Sequence, residues 1–363
     1  MKNTFGNNIA VTLFGESHTD MIGAVLDGMP AGVRIYEDLI KKELDKRRPY
    51  GKISTSRHET DEVKIVSGVF NGYSVGTPIT VLIENSNVKS KDYSFLKDTP
   101  RPSHADYTAE VKYGGYQDYR GGGHFSGRLT APIVAVGAII QSALADKGIK
   151  IGTHIKALHG VEDRDFNDLD SDVSLLSDKL FPTLDPERES AMTKEIAKAG
   201  ERGDSVGGVL ETVVIGLPAG VGEPWFDSLE STLSHILFSI PGIKGVEFGL
   251  GFGFADKFGS EANDPFATDG EKIFTLTNNS GGINGGISNG MPILFRVAVR
   301  PTPSIFSEQG TVSLSKMENT VLKIEGRHDP AIIHRARAVV DAVTAIAIAD
   351  AIASAYGTQF FGG

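Results

Sequence analysis

Three short segments of the chain place a histidine beside residues that bind or move charge. They span residues 14–18 (FGESH), 101–107 (RPSHADY) and 326–330 (GRHDP). Histidine can give or take a proton near neutral pH, and the planar guanidinium of arginine pairs with phosphate or carboxylate. The combination predicts acid–base chemistry on an anionic ligand; for any one histidine, the alternative is an ordinary hydrogen-bonded residue at a turn. His154, His159 and His235 lack such neighbours, and we expect them at turns of that ordinary kind.

Basic residues gather in loops that also contain glycine and serine. Most runs of charge are solvated surface, but glycine lets backbone N–H groups approach an oxygen whose charge arginine neutralises. Several such loops predict a site for more than one phosphate or carboxylate. The residues are Arg47, Arg48, Lys52 and Arg57 in one loop, Arg120 and Arg128 around the glycines at 121–123, and Arg300 before residues 301–304 (PTPS).

The overall composition excludes several classes of protein. The 363 residues include 36 Lys and Arg against 46 Asp and Glu, and a net charge of −10 argues against a nucleic-acid or membrane-surface binder. There is no cysteine, so disulfides and thiolate metal sites are excluded, and we predict no metal site. Residues 1–14 lack a continuous apolar segment and the apolar stretch 338–356 contains Asp341 and Asp350. We therefore expect neither a signal peptide nor a membrane-spanning helix, and a cytoplasmic location.

The residues alone leave more than one function open. The motifs of P-loop enzymes, zinc proteases and dinucleotide dehydrogenases are missing. Residues 15–19 (GESHT) nearly match the nucleophile elbow of serine hydrolases, but Thr19 stands where a second glycine is required, so a hydrolase that uses Ser17 stays a rival. A non-enzymatic module that binds anions is a second rival. The interpretation that unites the loops is an enzyme that acts on a small phosphorylated substrate through histidine acid–base chemistry.

Glycine-containing segments recur in the same order in the two parts of the chain. The sequence has 43 glycines, about 12%, against a usual level of roughly 7%. The matching pairs are residues 28–33 (GMPAGV) with 216–221 (GLPAGV), residues 72–79 with 286–293, and residues 121–145 with 326–353. Chance matches among common Gly-Pro turns are the alternative. We predict one domain, 1–363, built from duplicated halves at about 1–160 and 200–363, with a pseudo-twofold relation.

Two apolar stretches must be buried helices within this domain. Residues 131–145 and 338–353 are apolar on nearly every side, so each needs covering from two directions. Runs rich in β-branched residues predict strands at 63–70, 78–83, 210–215 and 292–299. The elements together predict an α+β layered sandwich with helices buried between sheets, without the regular alternation of a doubly wound fold.

Taken together, these loops resemble those of the chorismate synthases, nearly from end to end. The resemblance implies anti 1,4-elimination of phosphate from 5-enolpyruvylshikimate 3-phosphate to give chorismate, a lyase reaction at the last common step of the shikimate pathway. It also implies reduced FMN without net redox change, two antiparallel sheets around the helices, and a homotetramer. The segments that carry it are residues 15–18 with 27–28, 45–57, 101–113 (RPSHADYTAEVKY), 118–130 (DYRGGGHFSGRLT), 203–211 (GDSVGGVLE), 281–304 and 326–330.

The resemblance also implies roles for individual residues. His18 matches the acid that protonates the departing phosphate, and His104 the residue that handles a proton of the reduced flavin. Ser17 and Asp329 would lie near the flavin N5. The arginines that match a clamp on substrate are Arg47, Arg48, Arg101, Arg128 and Arg327. The positions that match FMN contacts are His124, Phe125, Ser126, Pro241, Gly242, Gly285, Arg300, Pro301, Thr302, Pro303, Ser304 and Arg327.

Three positions depart from the family pattern. Thr19 replaces a small residue, so the backbone there is expected to differ slightly. His124 and Phe125 stand where many members have Arg-Ser, which puts one FMN contact in doubt, and Ile53 falls near a position that is basic in some members. Because no extra nicotinamide-binding segment is present, we expect a monofunctional enzyme that depends on an outside reductant and does not use NADPH (NADP) by itself.

Overall fold

Two five-stranded antiparallel sheets form the frame of the computed structural model, which describes residues 3–54, 61–85, 96–324 and 329–362. The first sheet has the strand order β1-β2-β3-β8-β5. The strands up to its last member are β1 (Thr4–Phe5), β2 (Ala10–Gly15), β3 (Met21–Asp27), β4 (Ala31–Arg34), β5 (Val63–Ser67), β6 (Val69–Phe70), β7 (Tyr73–Val75) and β8 (Ile79–Glu84). β4, β7 and β6 form a small sheet of their own. Gly68, with φ at 81°, separates β5 from β6 inside the predicted run 63–70.

The second sheet has the order β10-β9-β11-β17-β12. The remaining strands are β9 (Lys150–Leu158), β10 (Val161–Glu162), β11 (Gly208–Ile215), β12 (Ile243–Phe248), β13 (Phe266–Thr268), β14 (Ile273–Thr275), β15 (Ile283–Asn284), β16 (Ile287–Ser288), β17 (Ile293–Val299), β18 (Gln309–Ser313) and β19 (Glu318–Leu322). The pairs β13-β14, β15-β16 and β18-β19 are separate hairpins. β9 lies before residue 160 yet pairs with β11, so the division between the two sheets falls near residue 148.

The long apolar helices pack between strands of the two sheets. The helices are α1 (Glu37–Arg47), α2 (Asp106–Tyr113), α3 (Thr130–Ala145), α4 (Leu169–Asp178), α5 (Pro186–Glu201), α6 (Leu229–Leu237), α7 (Gly259–Ala262) and α8 (Ile333–Tyr356). α3 contacts β2, β3 and β8 of the first sheet, α8 contacts β9 and β11 of the second, and α3 and α8 contact each other. Gly137 permits that close approach, because a Cβ there would lie 2.4 Å from the Cβ of Ala342. The chain is therefore an α+β protein with antiparallel sheets.

The same two helices account for the apolar stretches of the sequence. Gly127–Ala145 and Ile333–Tyr356 are long and apolar enough to cross a membrane by length and composition. However, 83% and 78% of these segments' apolar windows are buried inside the protein, as expected of core helices. Their burial against strands on opposite sides explains why neither has a polar face.

One turn motif of the first half is closed by a serine. The Ser74 hydroxyl donates to the Pro30 carbonyl at 2.6 Å and accepts from the Val33 amide at 3.0 Å. This ties β7 to the Gly-Met-Pro-Ala-Gly-Val turn that follows β3. Ser74 is buried, so both bonds are shielded from water.

The second half contains the same arrangement. The Ser288 hydroxyl donates to the Pro218 carbonyl at 2.6 Å and accepts from the Val221 amide at 2.9 Å. Ser288 is also buried and lies in β16, which it ties to the Gly-Leu-Pro-Ala-Gly-Val turn that follows β11. The sequence matches therefore coincide with matching hydrogen bonds.

Candidate active site

Most of the residues predicted for a site line one cleft of about 980 Å³. Those residues are Arg47, Arg48, His104, His124, Phe125, Ser126, Arg128, Pro241, Gly242, Arg300, Pro301, Thr302, Pro303, Ser304 and Asp329. They come from the end of α1 and from the segments that follow α1, β8, α2, α6, β17 and β19, so both halves of the chain contribute. The sequence does not place these loops side by side; the packing of α3 on α8 does.

The cleft combines an apolar floor with a basic wall. Aliphatic side chains form the floor, including Val11, Leu13, Ile133, Ile243, Val339 and Val343. Among the residues that the structure describes, the cationic side chains that line the cleft are Arg47, Arg48, Arg128, Lys244, Arg300 and Arg335, and the acidic ones are Asp61 and Asp329. Six cations minus two anions leave about four positive charges in a chain whose total is −10. Such a local surplus attracts an anionic ligand.

Asp61 joins two of these arginines. Its carboxylate accepts from Arg47 at 3.3 Å and from the Nη1 of Arg128, and the side chain of Asp61 is 1% exposed. The other nitrogens of Arg47 donate to Thr130 Oγ1 and to the Arg128 carbonyl. Those of Arg128 donate to Asn85 Oδ1 and the Glu84 carbonyl. Both guanidiniums are thus held in fixed positions by protein groups.

A second carboxylate–arginine pair stands beside them. Arg335, in the first turn of α8, donates from Nη1 to Asp329 at 2.6 Å and from Nε to the Arg47 carbonyl at 2.7 Å. Both side chains of the ion pair remain partly exposed to the cleft, at 19% for Arg335 and 15% for Asp329. Asp329 therefore lines the cleft next to Arg335, a cation that sequence reasoning did not select.

His104 rests on a buried carboxylate. Its Nδ1 lies 2.7 Å from Oδ1 of Asp106. The two oxygens of the Asp106 carboxylate also accept from the backbone amide, Nε and Nη2 of Arg101. Burial raises the pKa of the Asp106 carboxyl, but the hydrogen bonds from Arg101 and His104 outweigh it and hold that pKa well below the usual range. Asp106 is consequently ionised, and its carboxylate accepts hydrogen bonds from Arg101 and His104.

This contact sets the tautomer of His104. An ionised carboxylate can only accept, so Nδ1 of His104 carries the hydrogen that Asp106 receives. Arg101 Nη2 also lies 3.0 Å from Nδ1, but guanidinium only donates, so its hydrogen goes to Asp106 instead. Nε2 of His104 is left to exchange a proton with a ligand in the cleft. Asp106 has the position of an orienting group behind a catalytic base.

Ser17 and His18 lie behind the cleft wall. Both are buried, at 1% and 6% exposure, and His18 Nδ1 is 3.2 Å from Ser17 Oγ. A Cβ on Gly121 would lie 2.3 Å from His18 Cε1, whereas one on Gly122 would lie 3.1 Å from His104 Cε1. The segment of glycines 121–123, with φ of 58°, 85° and 52°, therefore runs between the two histidines.

Several predicted residues are not brought to the cleft. Ser17 and His18 do not line it; neither does Arg101, which is 9% exposed and committed to Asp106. Gly285 lies in the exposed turn of the β15-β16 hairpin, away from the cleft. The side chain of Lys52 and the residues Arg57 and Arg327 lie outside the part of the chain that the structure describes.

The positions that depart from the family pattern have clear local roles. The Thr19 hydroxyl donates to the Glu16 carbonyl at 2.9 Å and closes the turn that carries Ser17 and His18. His124 Nδ1 lies 2.8 Å from the Gly15 carbonyl and donates to it. Ile53 packs against the hydrophobic core. His124 thus ties the cleft wall to the Ser17–His18 turn and keeps its Nε2 for other contacts.

Sequence reasoning missed other lining residues. His235 was expected at an ordinary turn, but it lies in the last turn of α6 and lines the cleft, with its ring 5.5 Å from that of Phe5. His159 does follow β9 at a turn, whereas His154 lies inside that strand. Asp61, Lys244 and Arg335 also line the cleft. Nothing in the spacing of these residues could have indicated it, because their partners are distant in sequence.

One buried polar atom in the cleft lacks a protein partner. Thr302 Oγ1 has no hydrogen-bond partner among the described residues, although it is buried and its residue lines the cleft. A buried hydroxyl is normally satisfied, so an orphan at this place indicates a polar ligand atom. Thr302 belongs to the Arg300–Ser304 loop that the family resemblance assigns to FMN.

Comparison with known proteins gives a consistent result. A family model described as chorismate synthase matches residues 9–353. A chorismate synthase from Pyrococcus abyssi is 47% identical over 345 residues, covering 95% of this chain and 96% of the relative. One from Methanobrevibacter smithii is 47% identical over 351 residues, with 96% of each chain covered. A crystal structure of chorismate synthase superposes with a TM-score of 0.76 at 30% identity, covering 96% of this chain and 93% of the other.

Proposed function

The chain belongs to the chorismate synthase family, and we propose that it works with reduced FMN bound in the cleft described above. Chorismate synthases are lyases that convert 5-enolpyruvylshikimate 3-phosphate to chorismate and phosphate. The observation that carries the cofactor proposal is the pairing of an apolar floor with a basic wall. A flavin ring needs an apolar surface, whereas its phosphate and the substrate need cations. One cleft offers both.

The residues of the Arg300–Ser304 loop fit FMN. The orphan hydroxyl of Thr302 can bond a phosphate or ring oxygen, and Arg300 supplies a cation at the end of the same loop. Gly242, with φ of 101°, also lines the cleft, and its carbonyl accepts from the Arg300 amide at 2.9 Å. If reduced FMN is bound by these residues, it would provide the electron density that assists loss of the allylic phosphate and an acceptor for the ring hydrogen.

The chain's own groups then bind and move charge. The basic wall of Arg47, Arg48 and Arg128 holds the anionic groups of the substrate, since their guanidiniums are fixed in place before it arrives. His104, oriented by Asp106, exchanges a proton through Nε2. We assign to Asp329 the assisting role near the reacting hydrogen.

We retain His18 as the acid for the departing phosphate and Ser17 as its neighbour. Because both side chains lie behind glycines 121–123, this role requires that segment to move aside when substrate binds. Three consecutive glycines with positive φ give the backbone the freedom for such a change. Gly285 and Arg327 are retained as FMN contacts on the strength of the resemblance alone.

We further propose that the fold is an internal duplication with helices layered between two sheets. The matching hydrogen bonds of Ser74 and Ser288 support this, because equal turns with equal partners are unlikely to arise twice independently. The four strands β2-β3-β8-β5 of the first sheet also correspond in spatial and chain order to β9-β11-β17-β12 of the second, whereas the outer strands β1 and β10 differ, since β1 precedes β2 and β10 follows β9. Gly137 and Ala342 would then lie close to the pseudo-twofold axis.

The assembly, the location and the source of electrons are also proposals. Exposed aromatic side chains support a homotetramer, because so much apolar surface is normally covered by a partner; they include Trp225, Phe226, Phe252, Phe258 and Phe266. We place the enzyme in the cytoplasm, where a separate reductase supplies the reduced flavin. Turnover by the purified chain with NADPH and FMN alone would refute the need for an outside reductant.

One anaerobic assay tests the proposal against its rivals. The purified chain is mixed with 5-enolpyruvylshikimate 3-phosphate and chemically reduced FMN, and chorismate is followed by absorbance. Turnover that requires reduced FMN is the expected result. Covalent labelling of Ser17 by a fluorophosphonate would instead favour the hydrolase, and FMN binding without turnover would favour the anion-binding module.

A further inference from the structure

Arg335 differs from Arg47 and Arg128 in how many of its guanidinium nitrogens are already engaged. Arg47 and Arg128 use Nε and both terminal nitrogens on protein groups, and their side chains are only 7% and 4% exposed. Arg335 uses Nε and Nη1 and is 19% exposed. Within the part of the chain that the structure describes, its Nη2 bonds no protein group. Arg335 therefore combines a fixed orientation with a free donor.

The two engaged nitrogens hold this guanidinium in place. Nε is anchored to the Arg47 carbonyl at the end of α1, and Nη1 to the Asp329 carboxylate, so the plane of the group is set from two sides. The pair also lines the cleft. A charged donor that is oriented before the ligand arrives costs little entropy when it binds.

We propose that Arg335 is an anion-binding residue of the cleft, which donates from Nη2 to a phosphate or carboxylate oxygen of a bound ligand. The inference rests on the proposed function for the identity of that ligand, which is either the substrate or FMN. Asp329 serves as its anchor, and the Arg335–Asp329 ion pair has no net charge before a ligand binds. Arg335 would thus bind an anion beside Arg47, whose carbonyl anchors it.

The test measures binding by titration calorimetry, without turnover, for the full chain and its variants. The probes are oxidised FMN, inorganic phosphate and 5-enolpyruvylshikimate 3-phosphate. Arg335→Gln should weaken at least one of them about tenfold or more, because a charge-assisted hydrogen bond is lost. Arg335→Lys should be intermediate, since an ammonium keeps the charge but cannot hold Asp329, the Arg47 carbonyl and a ligand together. Arg188→Gln, an exposed change on α5, is the matched control.

The double variant Arg335→Gln with Asp329→Asn separates two explanations. If Arg335 contacts the ligand, binding stays weak in the double variant. If Arg335 only neutralises Asp329, removing both charges restores binding, and the proposal is overturned. Loss confined to FMN would assign the flavin phosphate, and loss confined to phosphate and substrate would assign the substrate; either supports the proposal.

Unchanged binding of all three probes by Arg335→Gln would overturn it as well. If that variant does not fold, Arg335→Lys carries the test, with its melting temperature as the check on folding. These results are independent of the proposed function. A wild-type chain that binds anions through Arg335 but never makes chorismate would refute the function and leave the site standing.

Discussion

His104 and His154 each have a ring nitrogen within hydrogen-bond distance of a carboxylate, yet of these two only His104 lines the cleft. His104 has one nitrogen on Asp106 and is 16% exposed. His154, in the middle of β9, is fully buried, with Nδ1 2.9 Å from Asp163 and Nε2 3.1 Å from Glu211. The first histidine keeps a nitrogen for a ligand, and the second has none left. The number of ring nitrogens bonded to protein groups thus separates a histidine that can exchange a proton with a ligand from one with a structural role.

The surroundings of His154 show what it holds. Burial lowers the pKa of His154, but the hydrogen bonds that its ring donates to Asp163 and Glu211 outweigh burial and raise that pKa. Asp163 also accepts from the Leu184 and Asp185 amides, which fixes the segment before α5. His154 is therefore a buried cation that, through Asp163, holds the segment before α5 against the second sheet.

The same charge pattern continues across the second sheet. Glu211 lies opposite both His154 and Arg296 in the strand register, and Arg296 lies opposite Glu247. Arg296 Nε is 2.8 Å from Glu247, and its Nη1 is 3.8 Å from Glu211. Opposite charges thus alternate over β9, β11, β17 and β12, where such cross-strand pairs stabilise a sheet. The cleft histidine has no comparable ladder.

The largest effect is expected from His104→Gln. The variant keeps a polar side chain but cannot exchange a proton, so kcat should fall by about 10²–10⁴-fold while the urea unfolding midpoint stays unchanged. The measurement is anaerobic turnover beside a denaturation curve. A variant with wild-type kcat would remove His104 from the proposed chemistry and break the comparison.

His154→Leu should show the opposite pattern. It leaves Asp163 and Glu211 buried without their cation, so the free energy of unfolding should fall by about 3–5 kcal/mol. The kcat of the fraction that remains folded should match wild type. His159→Gln, which changes an exposed histidine, is the control. Lost activity with undiminished stability would show that His154 has a role in the site.

Gly121→Ala tests the segment between Ser17–His18 and the cleft. The added methyl would lie 2.3 Å from His18 at a φ of 58°, so the variant should displace His18 or the loop and lower kcat by about 10²-fold. Gly310→Ala is the matched control, because a Cβ there meets nothing within 4 Å. Equal kcat in the two variants would show that His18 need not keep its present place.

The smallest effect concerns pH. The raised pKa of His154 means that its contribution to stability is full below the unfolded pKa, near 6.5, and is lost as pH rises through the folded value. The loss is about 1.4 kcal/mol for each unit by which the pKa is raised. Urea midpoints measured from neutral to alkaline pH should therefore fall more steeply in wild type than in His154→Leu. Parallel curves would mean that His154 is not a buried cation.

Much of the fold followed from local patterns. The predicted strands at 78–83, 210–215 and 292–299 agree with β8, β11 and β17 within two residues at either end. The apolar helices were predicted because residues without a polar face cannot lie on a surface. The pairing of β9 with β11 did not follow from local patterns, because its partners, such as Leu158 and Gly208, are distant in the sequence.

The sequence by itself determined the family, the buried helices and the loops from which the site is built, because these depend on residue type and on short spacing. Only the tertiary structure decided which residues of those loops act together. Arg101 turns to Asp106 and away from the cleft, Asp61 joins Arg47 to Arg128, and His235 and Arg335 enter the wall. The physical reason is that a charged side chain takes its role from the partner that burial leaves nearest to it. That partner is set by how α3, α8 and the two sheets pack.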